Sequence, residues 1–254
     1  MTIRVAPDAE ALARAARDAV LGALGEAVRR GEGAHFALSG GSTPRRLYEL
    51  LGGPGGLESL ARPIDIEFTD ERFVGPQSPQ SNSRMVEESL LARGRIPRGR
   101  VHSIRTTGGT LESAAREYET RLRDLLPATG TSFDLALLGL GPDGHTASLF
   151  PGAPELEETV RWAVAVPHSP QPPLVPRITL TLPLLNRSRT VFFLVSGAGK
   201  SGIVHRVLEG PAAGAGALPA NRVRGTETTE WFLDGPAAQE LARGATGRWN
   251  LPGP

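Results

Sequence analysis

The sequence predicts an α/β fold in which a mainly parallel sheet is covered by helices on both faces. Short runs at 35–38, 64–68 and 133–138, apolar at most positions, have the length and composition of buried strands. Each run ends in a polar or glycine-rich turn, and helical patterns lie between the runs. Strand, turn and helix therefore recur along the chain, as they do when crossover helices join parallel strands.

The first helix is expected over 8–30, because Leu12, Ala16, Val20, Leu24 and Val28 fall four apart on one face, with Asp8 placed as the cap. After Gly31 and Gly33, the strand 35–38 runs into Ser39-Gly40-Gly41-Ser42-Thr43-Pro44, with a helix expected over 45–51. The strand 64–68 closes on Thr69-Asp70-Glu71-Arg72, and a helix follows over 82–92. A helix over 111–126 precedes the strand 133–138, which ends in Gly139-Leu140-Gly141-Pro142-Asp143-Gly144-His145. Further strands are expected at 178–182, 191–195 and 231–233, with a helix over 199–208. The proline-rich run 168–176 and the Ala/Gly run 211–218 read as surface loops, since regular patterns resume directly after each. One domain over 1–254 is therefore expected.

Composition narrows the function classes. Thirty-one glycines and 22 prolines make about a fifth of the 254 residues, short of the roughly 25–30% of a disordered low-complexity chain. A hydrophobic fraction of 39% suffices for a core, and a net charge of +1 provides no basic footprint for nucleic acid. The absence of cysteine removes disulfides, thiol nucleophiles and thiolate metal sites. The first 20 residues mix acids and arginines without an apolar run, so they read as neither secretory signal nor membrane span, and the cytoplasm is the expected setting. The expected partner is a small molecule, bound by a monomer or small homo-oligomer.

In open α/β sheets ligands bind beyond the carboxyl ends of the strands. The turns after 38, 68, 138 and 195 are therefore expected along one rim. Ser39 to Thr43 offer small residues, hydroxyls and main-chain amides at a helix start, a setting that favours an anion such as phosphate. An ordinary glycine turn with a Ser/Thr cap is the alternative. Gly139 to Gly144 spell GxGxxG, but Pro151 cuts short any following helix and the acid expected roughly 20 residues on is not convincingly placed. Gly199-Lys200-Ser201 resembles the end of a Walker A loop, yet Leu194 stands where its first glycine would be. Lys200 is the only lysine beside 27 arginines, and an ammonium at a helix start suits a phosphate. His145, two residues after Asp143 in a glycine-rich turn, is a candidate general base. Asp70 and Arg72 close another strand, where they either serve that base or form a surface ion pair. His102, His168 and His205 are scattered without metal-ligand spacing, and no metal is expected.

Five segments in order carry a resemblance over nearly the whole chain. They are Leu38 to Pro44; Thr69 to Arg72 with Ser81-Asn82-Ser83-Arg84-Met85; Gly139 to Pro151; Pro176 to Thr181; and Val195 to Lys200. Together they resemble the 6-phosphogluconolactonase family and, more distantly, the glucosamine-6-phosphate deaminases that share its fold. The resemblance implies a Rossmann-like domain and a hydrolase, without cofactor or metal, that opens 6-phosphogluconolactone. On that basis Ser39, Gly40, Gly41, Ser42 and Thr43, with Arg177 and Lys200, are expected to bind the substrate phosphate. His145 is expected to activate water, oriented by Asp143 or Asp70, while Arg72 or a nearby amide stabilises the oxyanion. Asn82, Gly141 and Gly144 are expected to shape the pocket. The deaminases usually carry a glutamate shortly after the histidine; here 146–150 holds no acid. The lactonases often carry a tryptophan before the Asp-Glu-Arg element, where this chain has Phe68-Thr69. A noncatalytic sugar-phosphate sensor is the reading from another class; it would keep the phosphate residues and dispense with the base.

Overall fold

Helix α1 (Ala9–Arg30) forms where the four-residue spacing places it, and Leu12, Ala16, Val20, Leu24 and Val28 are all buried. Asp8 caps it by accepting from the amide of Ala11 at 2.8 Å, one of the donors that a helix start leaves unpaired. Burying each of the larger side chains contributes about 1.5–3 kcal/mol. The computed structural model describes residues 1–241 apart from 32, 95, 212, 213 and 215. Residues 242–254 of the expected domain, and part of the loop 211–218, lie outside the described residues.

The strands are β1 (Thr2–Ala6), β2 (Ala34–Leu38), β3 (Ile64–Phe68), β4 (Asp70–Arg72), β5 (Val101–His102), β6 (Leu135–Leu138), β7 (Ala163–Val166), β8 (Arg177–Leu180), β9 (Thr190–Val195) and β10 (Thr228–Asp234). Besides α1, the helices are α2 (Arg45–Gly52), α3 (Asn82–Val86), α4 (Leu111–Leu125), α5 (Leu182–Leu185), α6 (Ser201–Glu209) and α7 (Gly235–Ala238). Seven strands form one parallel sheet in the order β1-β10-β9-β6-β2-β3-β5. From β2 the chain winds outward through β3 and β5, then returns to β6 on the other side of β2 and winds the opposite way. The strand order reverses between β2 and β6, the place where open α/β sheets leave a crevice. The sheet interior is largely apolar: Phe36, Leu38, all of β6 and Val191 to Val195 are buried, and Phe193 stacks on Trp231 at 4.0 Å.

Several elements depart from expectation. Asp70–Arg72, read as a turn, is a strand, and the run expected at 178–182 does not join the parallel sheet. Instead β4, β8 and β7 make a separate antiparallel sheet. The physical reason is pleating: Glu71 is buried on one side of β4, while Asp70 and Arg72 face the other, so a polar tripeptide can pair with β8 and still satisfy its charges. Strands β1, β5 and β7 were not foreseen either. Arg4 interrupts the apolar pattern of β1, and its Nε donates to Glu230 of β10 at 2.6 Å. The helix expected over 82–92 is α-helical only to Val86 and continues as a π-helical turn over Glu87–Leu91.

Candidate active site

A cleft of about 330 Å³ opens at the reversal point. It is lined by the turns after β2, β6 and β9 on one side, and by Asp70, Arg72 and Arg177 of the antiparallel sheet on the other. A larger groove of about 770 Å³ lies at the amino end of β3, where Glu58 and Arg62 are its ionisable lining residues. The smaller cleft gathers the chemistry.

Ser39 to Pro44 form the first wall. The buried Tyr48 of α2 donates its hydroxyl to the carbonyl of Ser39 at 2.7 Å, fastening this turn to the helix behind it. Among the described residues, the amides of Gly40, Gly41, Ser42 and Thr43 donate to no protein acceptor. They stand immediately before α2, where a helix start favours an anion. Gly40 is required by close approach: a Cβ there would come within 1.9 Å of Asn82 Oδ1.

The glycine-rich turn after β6 carries His145. Its amide and Nδ1 both engage Asp143 Oδ1, at 3.1 and 2.6 Å. Burial works against the charge on Asp143, but the hydrogen bonds and charge of His145 outweigh it and hold the carboxyl down to about 2. An ionised carboxylate only accepts, so Nδ1 carries the proton and Nε2 is left as the basic nitrogen. Gly141 lets the ring lie flat against the turn, since a Cβ at that position would sit 2.0 Å from Nδ1. The ring of buried Phe150 packs on the imidazole at 4.6 Å. Lys200 Nζ donates to the carbonyl of Leu140 at 2.7 Å, which ties the β9 turn to the His145 turn. Burial lowers the Lys200 ammonium below the ordinary lysine value, and the charge of Asp143 offsets this in part.

On the opposite wall Asp70 does not contact the imidazole. Its Oδ2 accepts from Ser148 Oγ at 2.7 Å and its Oδ1 from Asn82 Nδ2 at 3.3 Å. Arg72 and Arg177 are register partners on β4 and β8. Arg72 Nη1 donates to Gln80 O, and Arg177 Nη2 donates to Gln171 O and Pro173 O. Both Nε groups are buried without an acceptor among the described residues. The Arg177 guanidinium sits 5.3 Å from the centre of the Phe150 ring, and burial lowers its pKa against the pull of Asp70.

Two residues expected at the pocket surface lie behind it. Asn82 is buried beneath Gly40 and braces Asp70, because its amide group donates to the main chain and side chain of that residue. Gly144 faces Leu218, with φ +90° and no room for a Cβ. The remaining expected residues converge on the cleft directly, except Asp143, which reaches it through His145. Sequence reasoning passed over Ser148, Thr179, Phe150 and Glu71. Thr179 Oγ1 accepts from the Ser148 amide at 3.1 Å, joining β8 to the histidine turn. Glu71 takes the amides of Arg72, Asn82 and Ser83, pinning α3 to β4. No spacing in the sequence announces the contacts of Ser148 and Thr179, since they join segments distant in the chain. Among the described residues no group of three or more His, Asp and Glu side chains is arranged to hold a metal ion.

The family model described as glucosamine-6-phosphate isomerases/6-phosphogluconolactonase matches residues 7–231. The chain belongs to this family. It is 37% identical to the 6-phosphogluconolactonase of Mycobacterium tuberculosis, over 94% of this chain and 98% of that protein. Against the human 6-phosphogluconolactonase the identity is 40%, over 83% of each. The solved 6-phosphogluconolactonase of Trypanosoma brucei superposes with a TM-score of 0.82 at 31% identity, covering 95% of this chain and 98% of that one. A monomeric glucosamine-6-phosphate deaminase also superposes, with a TM-score of 0.77 over 94% of this chain and 99% of that one. At 21% identity that likeness shows a common fold alone.

Proposed function

We propose that the protein hydrolyses 6-phospho-D-glucono-1,5-lactone to 6-phosphogluconate in the oxidative pentose phosphate pathway, as a carboxylic ester hydrolase. The observation that carries the reading is the convergence in one cleft of an Asp143-oriented imidazole and an anion cradle with a lysine beside it. The phosphate is held by the amides of Gly40 to Thr43, the hydroxyls of Ser39, Ser42 and Thr43, and Lys200, while Arg177 adds positive potential. This leaves the lactone ring beside His145. Nε2 takes a proton from water as the oxygen attacks the lactone carbonyl. Arg72, which lines the cleft, stabilises the tetrahedral oxyanion. The intermediate collapses by breaking the bond to the ring oxygen, and the imidazolium returns its proton to that oxygen. The products are a carboxylic acid, which ionises, and a free hydroxyl. Asp143 keeps the imidazole in the productive tautomer through both steps.

The same chemistry weighs against the deaminase. Phe150 puts an apolar ring against His145, and no acid stands in 146–150 to move a proton onto a sugar ring oxygen. The lactone needs water and a base alone. One domain, acting on a small sugar phosphate in the cytoplasm as a monomer or small homo-oligomer, completes the reading. The test compares acid release from freshly prepared lactone with the spontaneous rate, in parallel with ammonia release from glucosamine 6-phosphate. Rapid lactone opening without ammonia is expected. Lactone decay at the buffer rate would remove the proposal, and a noncatalytic sensor would then be left if 6-phosphogluconate still bound.

A further inference from the structure

Lys200 ends a single 3-10 turn, Ala198–Lys200, and so depends on whatever fixes the residues before it. Gly197 opens that turn at φ +99°, in the left-handed region, and a Cβ added there would meet nothing within 4 Å. Glycine is therefore needed for backbone conformation and not for space. Lys200 N closes the turn by donating to Gly197 O at 3.0 Å.

The group that holds Gly197 comes from a different strand. The parallel pairing of β9 and β10 sets Val195 opposite Leu233. The next residue, Asp234, thereby falls beside Ser196 and Gly197 just past the end of β9. Asp234 is 3% exposed. Both its carboxylate oxygens accept from the Gly197 amide at 3.0 Å, Oδ2 also accepts from Ser196 Oγ, and Oδ1 also accepts from the Ala237 amide at 2.8 Å. The last of these caps α7; the first two grip the turn that delivers Lys200 to the cleft.

We propose that Asp234 is a positioning residue for phosphate recognition, acting through Gly197 on the placement of Lys200. The inference rests on the reading of Lys200 as a phosphate ligand. Asn separates the two duties of the side chain in part: it caps helices as well as Asp does, so its oxygen keeps Ala237 and one arm of the shared Gly197 bond, while its NH₂, standing where Oδ2 was, sets a donor against the Gly197 amide and no longer accepts from Ser196.

The experiment measures lactone KM and kcat, with calorimetric binding of 6-phosphogluconate, for Asp234→Asn, Gly197→Ala and Lys200→Ala, and for Asp234→Asn and Gly197→Ala each combined with Lys200→Ala. Asp234→Asn and Gly197→Ala are each expected to raise KM about tenfold, as weakening one charge-assisted contact does, with kcat within about twofold. In the Lys200→Ala background each is expected to add less than about twofold, because residues that act through one another are not additive. A purely structural role for Asp234 would lower the unfolding temperature and leave KM alone. The proposal is overturned if Asp234→Asn leaves KM unchanged while Lys200→Ala raises it, and the role of Lys200 then stands. It is also overturned if the full KM effect persists in the Lys200→Ala background. If Lys200→Ala itself leaves KM and binding unchanged, the phosphate reading of Lys200 fails first and the positioning role falls with it. Should Asp234→Asn not fold, Gly197→Ala in the two backgrounds decides the matter by the same outcomes.

Discussion

Two histidine–carboxylate pairs in this protein have nearly the same contact and opposite surroundings. His145 Nδ1 lies 2.6 Å from Asp143 in the cleft, and His35 Nδ1 lies 2.7 Å from Glu67 inside the β2/β3 face of the sheet. In the cleft pair the carboxyl is driven down to about 2, because the imidazole outweighs partial burial. In the sheet pair Glu67 is completely buried, and desolvation pushes its carboxyl up despite His35, with one oxygen left unpartnered. Burial works against the charged form of His35, yet the hydrogen bond and charge of Glu67, with Asp65 and Asp134 nearby, raise it above the ordinary histidine value. The difference teaches that an imidazole held by a carboxylate is not in itself a catalytic unit. It becomes one where the second ring nitrogen opens on a site that holds a substrate, as it does for His145.

The largest effect separates the pairs by activity. His145→Ala is expected to lower kcat by about 10²–10⁴, the contribution of a positioned general base, while still binding 6-phosphogluconate. His35→Ala is expected to leave kcat within about twofold and to cost about 1–3 kcal/mol of stability, because Glu67 loses its hydrogen-bond partner. Steady-state kinetics and denaturant unfolding on both variants check this. Comparable losses of kcat would erase the distinction.

The sequence made one of these pairs visible and hid the other for a physical reason. Asp143 and His145 are two residues apart in a turn between a strand and a proline stop, so local spacing alone brings them together. His35 and Glu67 are 32 residues apart and meet because parallel pairing sets Ala37 opposite Glu67, a register that apolar patterning does not specify residue by residue. The same division runs through the fold. The parallel sheet was legible because β6 is a continuous apolar run buried on both faces and β2 and β3 are short, mostly apolar runs ending in glycine-rich or polar turns. The antiparallel sheet was not, because Asp70-Glu71-Arg72 looks like a polar turn until β8 is laid against it. The loops after β2, β6 and β9 gave up the cradle, the base and Lys200. The parts that brace them, Ser148, Thr179 and Asp234, act across long stretches of chain and carry no local signature.

A smaller effect sets the pairs apart by pH. Asp143 has a depressed pKa, so its contribution to stability is present above the unfolded carboxyl value and is lost as pH falls toward about 2. His35 has a raised pKa, so its contribution is complete below about pH 6.5 and is lost as pH rises through the folded value. The two pairs therefore weaken the fold in opposite directions of pH. Unfolding free energy measured from pH 3 to 9 is expected to lose part of its acid-side slope in Asp143→Asn, and part of its decline above neutrality in Glu67→Gln. Identical profiles for the two variants would show that the surroundings do not set the sign.

The smallest effect concerns reach. Asp143 supports the charge on Lys200, which burial has already lowered, whereas Glu67 has no part in that balance. Affinity for 6-phosphogluconate is therefore expected to decline on the alkaline side, beginning below the ordinary lysine range as Lys200 loses its proton. In Asp143→Asn the decline starts at lower pH, because the favourable charge is gone and burial acts unopposed. In Glu67→Gln it stays where it is in the unaltered protein, and in Lys200→Arg it disappears, since a guanidinium keeps its proton throughout the range. Calorimetric titration between pH 7 and 10 reads all three. A shift in Glu67→Gln equal to that in Asp143→Asn would mean that the buried sheet pair is felt in the cleft after all, and that the two regions are one electrostatic unit.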